Sequence, residues 1–208
     1  MEAGGAIAQG RRERSALAGV HSTEIFRRFP PAPEFVHRKA LFPALIVPLI
    51  LVVDFISKRW ALEALADGRS IEVLGGLMPL TLAFNLGAAF GLSVGDDSRW
   101  LFVPITFVAM GLLVVLYRQT LANDRVRLVA LSLVAAGALG NLYDRVRWSR
   151  GVVDFFGPVD LGFWKFPIFN VADIAISCGA ILLALSFWAE ERRERRAAEG
   201  ATSADAVG

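Results

Sequence analysis

Eight polar residues stand inside or beside long apolar runs of this 208-residue chain: Asp54, Asn85, Asn141, Asp144, Arg145, Asp154, Asn170 and Asp173. A carboxylate held near hydrocarbon is costly, so an ionisable residue there is a functional candidate by default. The stretch 151–173, GVVDFFGPVDLGFWKFPIFNVAD, carries three aspartates: Asp154, Asp160 and Asp173. Pro158, Pro167, Gly157 and Gly162 lie between the outer two. That stretch cannot be one helix, so Asp154 and Asp173 can fold toward each other from separate elements. Asn141, Asp144 and Arg145 fall at i, i+3 and i+4, and Asn170 and Asp173 at i, i+3. Such spacing puts each set on one helix face. Two polar faces at adjacent depth suggest one shared pocket; the plainer reading is helix caps at membrane ends.

Other chemistries lack their residues. The two histidines, His21 and His37, lie in the N-terminal segment, and no HExxH occurs. Metal-assisted hydrolysis and Ser or Cys nucleophiles usually need such a residue as ligand or base. Cys178 is the single cysteine, so no intramolecular disulfide forms, and its apolar surroundings suggest packing. Carboxylate chemistry remains. Of two aspartates sharing a proton, the ionised one takes a proton from water while the protonated one donates to a carbonyl oxygen. Intramembrane carboxylates also carry protons or cations, and polar residues can simply pack helices. The residue pattern is common to all three uses.

The elements that must position these residues read as membrane spans. Apolar and aromatic residues make up 55% of the chain and come in long uncharged runs, the membrane signature. A net charge of +2 gives no case for nucleic acid. The spans fall at about 40–57, 100–117, 128–147 and 166–189, giving an all-α integral membrane protein with four transmembrane helices. Asp54 lies near the end of the first span with Lys58 on the same face, predicting an ion pair at the membrane edge. Residues 73–95 are uncharged but rich in glycine, which suits strands or a re-entrant piece. Residues 1–39 are basic and read as a mostly disordered tail, not a cleaved signal peptide, because the apolar run starts only at Ala40. The tail 191–208 reads as exposed and partly frayed. With four spans, one side holds fourteen Lys and Arg and the other eight. The positive-inside rule then puts both termini in the cytoplasm and leaves 58–99 and 148–165 outside.

Five motifs in order resemble bacterial lipoprotein signal peptidase (signal peptidase II), a four-span aspartic endopeptidase. They are DFISK (54–58), FNLGAAFGL (84–92), GALGNLYDRV (137–146), GVVDFF (151–156) and FNVADIAIS (169–177), within about 40–190. The resemblance implies that Asp154 and Asp173 are the catalytic pair. It implies substrate-binding or supporting roles for Asp54, Lys58, Asn85, Gly87, Asn141, Asp144, Arg145 and Asn170, with Asn85 on the substrate backbone. Arg145 would pair with Asp144 or hold a backbone carbonyl; the plainer reading is a membrane-edge arginine that snorkels to headgroups. It also implies a small extracytoplasmic β-rich cradle built on 73–95. The implied substrate is a prolipoprotein whose cysteine carries a diacylglyceryl group. It would enter laterally from the membrane lipids and be cut on the N-terminal side of that cysteine. The family implies no metal and no cofactor, a monomer, and the bacterial cytoplasmic (inner) membrane. Asp160 has no counterpart and reads as a solvated loop residue. GFWKF (162–166) reads as an interfacial segment that acts as a lid.

Overall fold

The structure, a computed structural model, describes residues 33–87 and 99–205. Nearly all of the expected tail 1–39 and the end of the Gly-rich piece, 88–95, lie outside the described residues. Four long helices come in the order α1 (Pro33–Ala64), α2 (Arg99–Gln119), α3 (Arg125–Arg147) and α4 (Val171–Asp205). Each contains a segment long and apolar enough to cross a membrane. Between α1 and α2 lie β1 (Ser70–Val73) and β2 (Met78–Asn85). Between α3 and α4 lie β3 (Val152–Phe156), β4 (Val159–Asp160) and β5 (Lys165–Phe166). The first three strands form an antiparallel sheet in the order β1-β2-β3, and β4 pairs with β5.

Two helices differ from the expected spans, for identifiable reasons. Residues 58–64 were expected outside the first span, yet they continue α1. Their apolar side gains a partner there: Ala61 and Leu65 are fully buried in a cluster with Leu80 and Phe155 of the sheet. Trp60 meets the Phe155 ring edge-on at 6.5 Å. The last helix starts at Val171, not near 166, because Lys165 and Phe166 are drawn into β5. It runs on to Asp205 where a frayed tail was expected. That extension is rich in good helix formers and carries an i,i+4 pair, Glu191 to Arg195, at 2.7 Å.

α3 is the central helix. It buries Leu128, Ala130, Leu131, Ser132, Ala136, Gly137 and Gly140, whereas α1 and α2 present most of their apolar side chains outward. Small residues on α3 set how closely α4 and α1 approach. A side chain at Gly137 would collide with the Ala172 carbonyl, and one at Gly140 would come within 2.8 Å of Asp54 Oδ2. Cys178 is exposed on α4 and not packed inside as expected. At the end of the bundle away from the strands, Lys39 donates to the Thr120 carbonyl at 2.7 Å. There Arg127 bonds Glu190 at 2.8 Å.

Close approach at Gly137 gives a testable outcome. Gly137→Val forces the helices apart and should cost about 1–3 kcal/mol, read as a lower apparent melting temperature in detergent. Gly111→Val, which faces open space, should be nearly neutral.

Candidate active site

Asp154 and Asp173 are nineteen residues apart in the chain and are brought together by one short bridge. Phe155 and Phe156 of β3 both donate backbone N–H groups to the Phe169 carbonyl, at 3.0 and 2.9 Å, and Phe169 donates back to the Phe156 carbonyl at 3.0 Å. This folds the segment entering α4 onto β3. Asn170 then sits between the two aspartates. Its Nδ2 donates to Asp154 Oδ1 at 2.7 Å. Its Oδ1 accepts from the Asp173 N–H at 2.9 Å, while Asp173 Oδ2 accepts from the Asn170 N–H at 3.2 Å. Asn170 is therefore the cap of α4, in a reciprocal arrangement that satisfies two orphan donors of the first turn. Asn170 is thus both a helix cap and a bridge between the two carboxylates.

The helix face expected from Asn141, Asp144 and Arg145 forms, though only in part as expected. Asn141 Nδ2 donates to Asp173 Oδ1 at 2.7 Å, and its Oδ1 accepts from Asn170 Nδ2 at 3.0 Å. Asp144 turns to Lys58, at 2.9 Å, and not to Arg145. Arg145 Nη1 reaches its own helix at the Asn141 carbonyl, 3.4 Å away, and the guanidinium lies over the Phe102 ring at 5.1 Å. Its Nε is buried without a hydrogen-bond partner among the described residues. Phe102 carried no signal in the sequence, being one apolar residue of an apolar span.

The pair Asp54–Lys58 forms as expected, at 2.7 Å. Both residues are buried, because α1 runs on past them and Gly140 leaves room for the carboxylate. Asn85 lies on β2 beside β3 and its side chain reaches the Asp154 carboxylate. Its Oδ1 accepts from the Gly87 N–H at 2.8 Å. One lone pair of that oxygen is thus engaged inside the protein. Gly87 has φ +111°, a conformation that side-chain-bearing residues avoid. Asp160 is exposed, accepts from the Gly162 N–H at 2.8 Å and stands apart from the pair. Phe163 and Trp164, at the turn between β4 and β5, are 89% and 46% exposed.

The two aspartates are not equivalent. Asp154 is 2% exposed, whereas Asp173 is only half-buried. Burial, and then the Asp173 charge, push the Asp154 carboxyl up to about 7, against the opposing pull of Asn85, Asn170 and Lys58. Asp154 is therefore suited to hold a proton near neutral pH. Asp173 has an N–H donor on each oxygen, from Asn141 Nδ2 and the Asn170 backbone. An apolar groove of about 780 Å³ between α1 and α3 includes Val153 in its lining but not Asp154, as strand alternation requires. No group of three or more potential metal-ligating residues occurs among the described residues.

Comparisons with known proteins point to one family. The family model described as Signal peptidase (SPase) II matches residues 46–189. The lipoprotein signal peptidase of Ectopseudomonas mendocina (strain ymp) is 39% identical over 172 residues, covering 82% of this chain and 99% of that one. That of Hydrogenovibrio crunogenus (strain DSM 25203 / XCL-2) is 38% identical over 154 residues, covering 72% and 87%. A bacterial membrane enzyme solved by the in meso method at 2.3 Å resolution superposes with a TM-score of 0.65 at 31% identity, covering 72% of this chain and 88% of that one. A second, solved at 1.9 Å resolution, gives a TM-score of 0.62 at 33% identity, over 70% and 91%. Matched across most of its length by family, sequence and fold, the chain belongs to the signal peptidase II family.

Proposed function

We propose that this protein is a membrane aspartic endopeptidase that removes the signal peptide from diacylglyceryl-modified prolipoproteins, with Asp154 and Asp173 as its catalytic pair. The observation that carries the proposal is the shared contact of both carboxylates with Asn170, in a setting that raises the Asp154 carboxyl. Asp173 takes a proton from water as the water oxygen attacks the scissile carbonyl carbon. Asp154 gives its proton to the carbonyl oxygen, forming a tetrahedral diol. Asp154 then takes back a hydroxyl proton as the C–N bond breaks, and the proton held by Asp173 goes to the leaving nitrogen. The products are a signal peptide ending in a carboxylic acid, which then ionises in water, and a protein that begins at the lipidated cysteine. The pair ends in its starting state, ready for another turnover.

The proposed topology follows the same geometry. Both termini lie in the cytoplasm of a bacterial inner-membrane protein, and the strands with the aspartate pair lie at the outer boundary. The strand-free end carries Lys39, Arg118, Arg125 and Arg127, as the cytoplasmic side prefers. A lipid-bearing substrate enters laterally between helices, and the exposed Phe163 and Trp164 suit headgroup depth. The protein acts as a monomer and needs no metal.

Asp154→Asn and Asp173→Asn should each abolish cleavage of a lipidated precursor while the protein still inserts and folds. Full cleavage by either variant sinks the assignment. Cleavage should persist in EDTA, and its loss with restoration by zinc would overturn the mechanism. A stability measurement tests the raised carboxyl separately. Because Asp154 binds its proton more tightly folded than unfolded, its contribution to stability is greatest below about pH 4 and declines as pH rises toward about 7. Asp154→Asn should therefore melt higher than the parent at pH 8, by an amount worth on the order of a few kcal/mol. The gain should shrink toward pH 4; a gain independent of pH contradicts the burial argument.

A further inference from the structure

We infer that Lys58 is a positioning residue that fixes the spacing of the aspartate pair and the facing of the Asn141 amide. The inference rests on the peptidase reading above. An ammonium has three N–H donors, and Lys58 uses all three: on Asp54 Oδ2 at 2.7 Å, on Asp144 Oδ2 at 2.9 Å and on Asn141 Oδ1 at 3.2 Å. Both carboxylates also accept from backbone, at two telling places. Asp54 Oδ1 accepts from the Ala172 N–H at 2.9 Å. Asp144 Oδ2 accepts from the Val153 N–H at 3.3 Å. Ala172 and Val153 are the residues immediately before Asp173 and Asp154. One ammonium thus links, through two carboxylates, the two backbone arms that carry the pair.

The third bond sets an orientation. An asparagine amide has nearly the same shape with its oxygen and nitrogen exchanged, so its partners decide which way it faces. Lys58 and Asn170 both donate to Asn141 Oδ1, which leaves Nδ2 facing Asp173 Oδ1. Reversed, the amide would set its NH₂ against an ammonium and its oxygen against a carboxylate. Stability alone is a poor reason to keep such a cluster, because buried ion groups can often be replaced by neutral ones without loss. Placing two reacting groups is a good one, since an error of about 1 Å in an active site can cost on the order of 100-fold in rate.

The test uses the full-length protein and a diacylglyceryl-modified precursor, with kcat, KM and the pH profile measured. Cleavage by the parent protein is the control for the peptidase reading; if the parent fails, that reading fails first. The triple variant D54N/K58M/D144N replaces the charges by neutral groups of similar size, and the asparagine oxygens can still accept from Ala172 and Val153. It should fold, with kcat lowered on the order of 100-fold and KM little changed. The charged groups around Asp154 are Lys58 on α1, Asp144 and Arg145 on α3, and Asp173 on α4. Lys58→Met removes the cation that favours ionised Asp154, so its pH profile should move to higher pH. Lys58→Arg keeps the charge and should leave the profile in place. A folded triple variant with parental kcat overturns the inference, as does a Lys58→Met variant that moves the profile yet keeps parental kcat at its optimum. If the triple variant does not fold, the cluster serves stability and the inference is withdrawn.

Discussion

A carboxylate inside a helix bundle must be supplied with donors, because neither lipid nor packed side chains can replace water. This protein buries Asp54, Asp144 and Asp154 almost completely and Asp173 in part. The rest of the structure can be read as the means of supplying those donors. Lys58 answers two of the four. Asn141 and Asn170 supply most of the donors to the other two, and the backbone N–H groups of Val153, Asn170 and Ala172 add to them. The members share partners, so a change at one residue leaves a buried group unpaired at another.

The secondary structure serves that network. The start of a helix offers unpaired N–H groups and favours negative charge. α4 uses these on Asp54 and within the reciprocal Asn170–Asp173 cap. The strands do the complementary task. Pairing of β2 with β3 and the Phe156–Phe169 bridge hold Asp154 over the start of α4. The glycines of α3 let backbones and carboxylates approach where a methyl group would intrude.

The proposed chemistry is then a matter of inequality between two like groups. Asp154 lies in the strand layer, sealed and pushed up to about 7. Asp173 lies at the helix start and is more open. Two neighbouring carboxylates cannot both ionise easily, so they tend to share one proton. Different surroundings let one donate a proton while the other accepts one.

The sequence by itself determined the membrane class, the four spans and the polar residues worth attention, because these depend on composition and on spacing along one element. Asn141, Asp144, Asn170 and Asp173 declare themselves as polar residues at helical spacing in apolar runs, and the motif order identifies the family. Partner choice was beyond it. Asp144 chooses Lys58 over its neighbour Arg145, Asn85 accepts from Gly87, and Asp54 caps a helix 118 residues away. Those are contacts between elements, decided by how closely α1, α3 and α4 pack. Element ends followed the same rule: α1 continues past Ser57 because the sheet buries Ala61 and Leu65. Periodicity describes the face a helix offers, and only the fold decides what meets it.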